Sequence, residues 1–333
     1  MNPSPNSTVI DPTTLKTSLS ALIASSIAIC IGCFGLFGNL NILVAVYTRK
    51  NLRSTCNILM ALIAFYDSVA ICFEFFQAIV FILEIPITRR ECFHYVCVFV
   101  CTLVLQTFTV LSVAFDRFVA IVFPVKYRTI RPTVWLTMTV CPAILVNSVL
   151  MPLGVIYTDD LYVNGCNPPS SLPDAVAFWW SVMHVTLNIV MASTYSCTIG
   201  VIRYKATCFT KNANDTQAKQ FFVAQRKAMK SITVILLVLS CTWFLTQFVA
   251  FAYYVDPSMP EKTWFVAISE LVVIPVNLGY SLNYYVFFWR SREYRTVFKE
   301  QLVFLFGDKC KKWMDNQTLF TKSAASSHNS GRS

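Results

Sequence analysis

Asp116 and Arg117 stand side by side near the end of a long apolar run, and Asp67 lies in the middle of an earlier one. An ionisable group at bilayer depth costs about 2.5–3.5 kcal/mol on insertion scales, so each needs a compensating interaction or a task. An adjacent carboxylate and guanidinium neutralise one another, and they free a cation when the pair opens. Asp67 has no such neighbour and needs a proton, a cation or hydrogen bonds. The polar residues expected to meet it are Asn39 and Asn283. Two more acids, Glu74 and Glu270, also interrupt apolar runs. Glu74 is two helical turns outward of Asp67 on the same face. Glu270 lies about 20 Å outward of Asn283. Other chemistry has little to work with. There is no phosphate-binding glycine loop, no zinc-spaced His/Cys cluster and no nucleophile elbow, and His94, His184 and His328 are scattered. Neither an enzyme nor a cofactor is expected, and metal or acid–base catalysis has little to work with.

The elements that must hold these residues are set by composition. The 333 residues are 56% hydrophobic and only 13% charged, with a mean hydropathy of +0.57. A bundle of spanning helices can face that much apolar surface to lipid, whereas a soluble domain cannot hide it. Seven runs qualify, at roughly 19–47, 56–83, 92–122, 133–156, 175–203, 228–255 and 263–289. They must be helices because lipid offers backbone groups no partner. The fold expected is an all-α seven-transmembrane bundle. A net charge of +10 would also suit nucleic acid. However, 23 of the 27 Lys and Arg fall on one side of the alternating loops, leaving Lys16, Arg89, Arg90 and Lys262 on the other. The positive-inside rule then puts the N-terminus outside and the C-terminus in the cytoplasm, with the lipid bilayer rather than nucleic acid as the partner.

Four regions follow: an extracellular tail over 1–18, the seven-helix domain over 19–289, an amphipathic juxtamembrane helix over 290–306 and a disordered cytoplasmic tail over 307–333. The first 18 residues lack a basic n-region and a cleavage site, so the first span acts as an uncleaved anchor. Asn6 begins an N-glycosylation sequon on the outer side; Asn214 and Asn316 begin others, but in the cytoplasm. Apolar residues at 294, 297, 298, 302 and 305 suit a helix lying along the inner leaflet. The Ser/Asn-rich tail from Thr318 offers serines for phosphorylation. Most cysteines lie within spans as small apolar groups. Cys92 and Cys166 lie outside, in oxidising surroundings, where a bond between them would tie the second outer loop over the bundle, with Cys97 as the competing partner. Cys310 is either a palmitoylation site or an idle thiol.

Gly38-Asn39, Leu62 to Asp67, Cys92, Asp116-Arg117-Phe118, Pro124, Trp243 and Asn283-Tyr284-Tyr285-Val286-Phe287 resemble the motifs of rhodopsin-like G-protein-coupled receptors from Gly38 to about Phe298. Within that superfamily, Lys50 to Leu59 and the following Phe65-Tyr66-Asp67 are similar to the nematode serpentine class SX chemoreceptors. The resemblance implies a plasma-membrane receptor, which a chemosensory role would place in a sensory cilium. It implies that Arg117, flanked by Asp116 and Phe118, meets the C-terminal helix of a Gα subunit when the sixth span swings out. Pro124 and Val125 would present an apolar knob to the same heterotrimeric G protein. The alternative is a purely structural ion pair. Arrestin and a receptor kinase would act at the tail.

In that family Asp67 belongs to a sodium and water site. Here Gln106 replaces the usual serine of the third span, so a sodium ion and a protonated or water-bridged Asp67 both stay open. Other departures bear on activation. The usual prolines near Leu187, after Trp243 and at Tyr284 are missing, and Phe287 stands where a tyrosine hydroxyl acts, leaving Tyr195 without that partner. Gln225, not an acid, begins the sixth span. Proline-derived kinks are therefore not expected, and basal activity is.

For the ligand, Phe99 stands where amine receptors place an aspartate, which argues against an amine anchored there. Glu74, Glu270, Tyr95, Phe99, His184, Trp243, Thr246 and Gln247 are candidates for an aromatic, acidic outer cavity. Such a cavity suits a small molecule or the cationic end of a peptide. Packing within the bundle is the alternative for each. A chemosensory small molecule is preferred over a neuropeptide. A transporter or channel, with the acids along its path, is the reading from a different class, and it lacks inverted repeats and broken helices.

Overall fold

The computed structural model describes residues 19–163, 165–211, 241–242, 244–249, 251–252, 255–256, 258–259 and 262–307. The expectations for Asn6, Gln225, Trp243, Cys310 and the serine tail lie outside them. Helices α1 (Leu19–Thr48), α2 (Thr55–Ile82), α3 (Arg89–Val122), α5 (Pro132–Tyr157) and α7 (Asp174–Lys211) run across the bundle. Short α4 (Pro124–Thr129) and α6 (Pro168–Ser171) lie in the loops. Among the described residues six helices are long and apolar enough to cross a membrane. The sixth expected span, 228–255, falls mostly outside the described residues and is helical at 241–242, 244–249 and 251–252. The protein is an all-α multi-pass membrane bundle of the seven-transmembrane type.

Caps set the helix ends, which therefore shift by a few residues from the limits of the hydropathy runs. Ser54 accepts from the Asn57 N–H to open α2. Thr88 and Glu91 close a capping box at α3, and Pro132 opens α5. One expectation is corrected. The last span is not a single helix without proline-derived breaks but three pieces: α8 (Thr263–Leu271), α9 (Val273–Ser281) and α10 (Asn283–Arg290). The break at Val272 follows from Pro275, which supplies no N–H to the Leu271 carbonyl and whose ring crowds it. The joint at Leu282 has no local proline.

The third helix occupies the centre, touching α2, α5 and α7. Two apolar clusters fill the bundle. The inner one holds Leu59, Ile63, Val113, Tyr195, Tyr284 and Phe287. The outer one holds Ile71, Phe93, Phe99, Leu103 and Trp180. The first helix packs close because two glycines permit it. A Cβ at Gly35 would stand 2.1 Å from Ser281 Oγ, and one at Gly38 2.6 Å from Tyr284 Cβ. Large apolar side chains such as Phe34, Leu145 and Trp179 face outward to lipid.

At the outer end, β1 (Ile87–Thr88) pairs antiparallel with β2 (Tyr162–Val163). Cys92 is disulfide-bonded to Cys166, with Cα atoms 5.4 Å apart. Cys97 is a free thiol that donates to the His94 carbonyl at 3.4 Å. Arg89 pairs with Asp159 and Asp174, and Arg90 with Asp160, pinning the second outer loop to the start of α3. At the inner end, α11 (Arg292–Phe306) folds back under the bundle. Its Tyr294 stacks on Phe287 at 4.5 Å between centroids, and Phe298 lies 4.3 Å from Tyr284. Arg49 and Glu300 form an ion pair at its solvent edge.

Candidate functional site

Three polar groups of residues interrupt the apolar bundle. The innermost is built around the end of α3. Asp116 is fully buried and Arg117 nearly so. The Arg117 Nε donates to Asp116 Oδ2 at 2.8 Å, and its Nη2 bonds the same oxygen. The other carboxylate oxygen, Oδ1, accepts from the Tyr127 hydroxyl at 2.9 Å, and Arg117 Nη2 also reaches that hydroxyl at 3.2 Å. Tyr127 is brought there by α4, which Pro124 opens at its first turn. Burial pushes the Tyr127 phenol above its ordinary range, so it stays protonated and remains a donor. Every hydrogen-bond partner of the guanidinium among the described residues comes from α3 and the loop that follows. Val125 is 80% exposed beside this cluster, and Phe118 is half-buried. The Lys205 ammonium of α7 donates to the Ile121 carbonyl at 2.8 Å, where the helix leaves its last carbonyls unsatisfied.

The middle group surrounds Asp67, which is fully buried. Gln106 Nε2 donates to Asp67 Oδ1 at 2.6 Å and Asn283 Nδ2 to Oδ2 at 2.6 Å. Asn39 does not reach the carboxylate; its amide donates to the Tyr280 carbonyl at 2.9 Å and ties α1 to α9. Both carboxylate oxygens thus face N–H donors. A sodium ion needs oxygens instead, so these residues as arranged do not fit it without both amides turning. Tyr195 and Phe287 belong to the inner apolar cluster, with Phe287 against Tyr294.

The outer group departs from the expected shared acidic cavity. Glu270 accepts from the Ser20 hydroxyl of α1 at 2.6 Å. Glu74, half-buried on α2, instead stands against Asn277 and within electrostatic reach of Tyr280, both on α9. The two acids serve different helix pairs because the contacts turn Glu270 toward α1. Phe99 is 1% exposed and stacks on Phe73 at 5.3 Å. His184 is fully buried, its Nδ1 2.9 Å from the Trp180 carbonyl and its ring 4.3 Å from the Trp180 ring. Phe99 belongs to the packed outer core, and His184 packs on Trp180, which belongs to it as well. Tyr95 lies beside Phe76, largely exposed. Thr246 donates to the Thr242 carbonyl at 3.0 Å. Gln247 is buried, and its Oε1 has no hydrogen-bond partner among the described residues.

Sequence reasoning missed Tyr127, Lys205 and Asn277. The first two read as solvated loop and cytoplasmic charge. The only signal for Tyr127 was Pro124 three residues earlier, a helix-opening position that would turn it back beneath α3.

Among curated proteins none matches the chain. The family described as serpentine type 7TM GPCR chemoreceptor Srsx matches residues 32–302, from the first span to the inner amphipathic helix. With six spanning helices among the described residues, the disulfide over the outer mouth and the Asp116–Arg117 pair at the inner end, the chain belongs to this family of chemoreceptor-type G-protein-coupled receptors.

Proposed function

We propose that the chain senses an extracellular chemical at the plasma membrane, N-terminus outward, and activates a heterotrimeric G protein. The step that carries the signal is opening of the Asp116–Arg117–Tyr127 cluster, after which Arg117 receives the C-terminal helix of a Gα subunit. The observation supporting this reading is a buried guanidinium whose hydrogen-bond partners among the described residues come from α3 and α4. The sixth span begins with Gln225 rather than an acid, so the sequence offers no carboxylate there to clamp Arg117. Val125 then meets the Gα surface as an exposed apolar contact beside the opening. A small molecule is the preferred stimulus, and arrestin and a receptor kinase are the partners proposed for the tail.

A ligand screen that reads Gα recruitment tests this proposal, with Arg117→Ala as control. The expected result is ligand-dependent recruitment in the wild type that falls to background in the variant. Recruitment equal in both would overturn the coupling role of Arg117. A ligand-evoked current in cells lacking G proteins would replace the receptor reading by a transport one.

A further inference from the structure

Cys97 and Cys101 stand four residues apart on α3, just inward of the disulfide at the outer mouth. Both are free thiols, both are half-buried, and they lie within electrostatic reach of one another. Their spacing puts them on one helical face. That face is the one that meets α5. Four residues outward of Cys97, Phe93 packs on Gly154, where a Cβ would stand 2.3 Å from its ring. At Cys101 the Asn147 amide donates to the backbone carbonyl at 3.3 Å. Further inward the Thr139 hydroxyl donates to Ser112 Oγ at 2.7 Å. The two helices thus run antiparallel, with Phe93 against Gly154 and Cys101 against Asn147, which brings Leu150 and Met151 level with Cys97. Cys97 and Met151 both pack against the outer apolar cluster, to which Leu150 belongs.

Two thiols so placed cannot close on each other. An S–S bond holds its Cβ atoms about 3.5–4.5 Å apart, whereas i, i+4 positions of a helix keep them about 5–6 Å apart. An ion between the sulfurs takes up the difference, because each metal–sulfur bond is about 2.3 Å long. Which ion fits follows from the surroundings. Among the described residues no three His, Cys, Asp or Glu gather where a metal ion could sit. Zinc takes three or four protein ligands and is not suited, nor are magnesium and calcium, which seek oxygen. His94, one turn outward, has its Nδ1 2.7 Å from the Arg90 carbonyl. Two sulfurs beside an apolar wall suit a soft monovalent ion, which is satisfied by two thiolates in line.

We infer that Cys97 and Cys101 bind copper(I), with silver(I) as its redox-inert substitute, at the outer end of the contact between α3 and α5. Each thiol gives its proton to water as its sulfur bonds the metal, and no oxidation state changes. The site stands apart from the receptor reading above and from the carboxylates of the bundle.

The purified full-length protein is loaded with copper(I) in ascorbate, which leaves the disulfide intact, and is titrated with a coloured copper(I) chelator. One copper per chain is expected to be retained. Cys97→Ser and Cys101→Ser should each weaken that retention by about tenfold or more. Cys30 and Cys33, exposed on α1 and three residues apart, supply the control pair; replacing both with serine should leave retention unchanged. Silver(I) should also shield Cys97 and Cys101 of the unaltered protein from maleimide, read residue by residue by mass spectrometry. That measurement decides alone if a serine variant fails to fold. Undiminished retention in either folded variant, an equal loss in the control pair, or alkylation of Cys97 and Cys101 to the same extent with and without silver(I) overturns the site.

Discussion

The inner and outer halves of the bundle treat a buried acid in opposite ways. At the inner end Asp116 is saturated: its own neighbour supplies the cation, and a loop tyrosine supplies the remaining donor. In the outer half Glu74 has no described cation, and the amide beside it keeps an orphaned oxygen. A saturated cluster acts as a latch, because its groups hold one another until a new partner competes. The same residue chemistry thus gives a closed, self-neutralised cluster at one end of the bundle and an acid without a described cation toward the other. Asp67 lies between them and is closer in kind to the latch, with both oxygens occupied.

That contrast predicts a graded set of responses. Asp116→Asn leaves Arg117 buried without its anion, and breaking one side of a buried pair costs about 3–5 kcal/mol. A large drop in unfolding midpoint and a rise in basal G-protein turnover are expected; a variant as stable and as quiet as the wild type would break the comparison. Tyr127→Phe removes two hydrogen bonds to charged groups, one donated to Asp116 and one accepted from Arg117, each worth about 1.5–3 kcal/mol. It should raise basal turnover in the same assay by a smaller factor, and an unchanged rate would show that α4 is no part of the latch. Asn283→Leu strips one donor from Asp67, at about 1–3 kcal/mol. Calorimetry should register that loss, whereas a neutral result would mean that Asp67 is satisfied by other means. Glu300→Gln breaks a pair whose side chains are half exposed, 53% for Arg49 and 52% for Glu300. Such pairs are worth about 1 kcal/mol or less, so stability and turnover should barely move. A large effect there would relocate the latch to the inner amphipathic helix.

The bundle was legible in the sequence because lipid imposes a length and a polarity on every span, and α1, α2, α3 and α5 lie within a few residues of their hydropathy runs. What composition could not supply was rotation about each helix axis. Asn283 and Asn39 were equal prospects for Asp67; only the facing of α10 brings the first into contact, while the second reaches a backbone carbonyl on α9. The same limit grouped Glu270 with Glu74, although it turns to Ser20. Phe99 and His184 read as cavity walls because aromatic and imidazole side chains serve packing and recognition alike, and here they pack. The breaks in the last span were missed for a different reason. Attention to positions where proline is customary passed over Pro275, which stands one turn beyond the break that it causes.

The glycines at 35 and 38 settle which way the bundle can yield. With the first helix seated on Ser281 and Tyr284 at distances no side chain would allow, that flank behaves as a keel: it has no slack to give up and no bulk to shed. Rearrangement must then travel through the opposite flank, where the fifth span carries its lysine to the foot of α3.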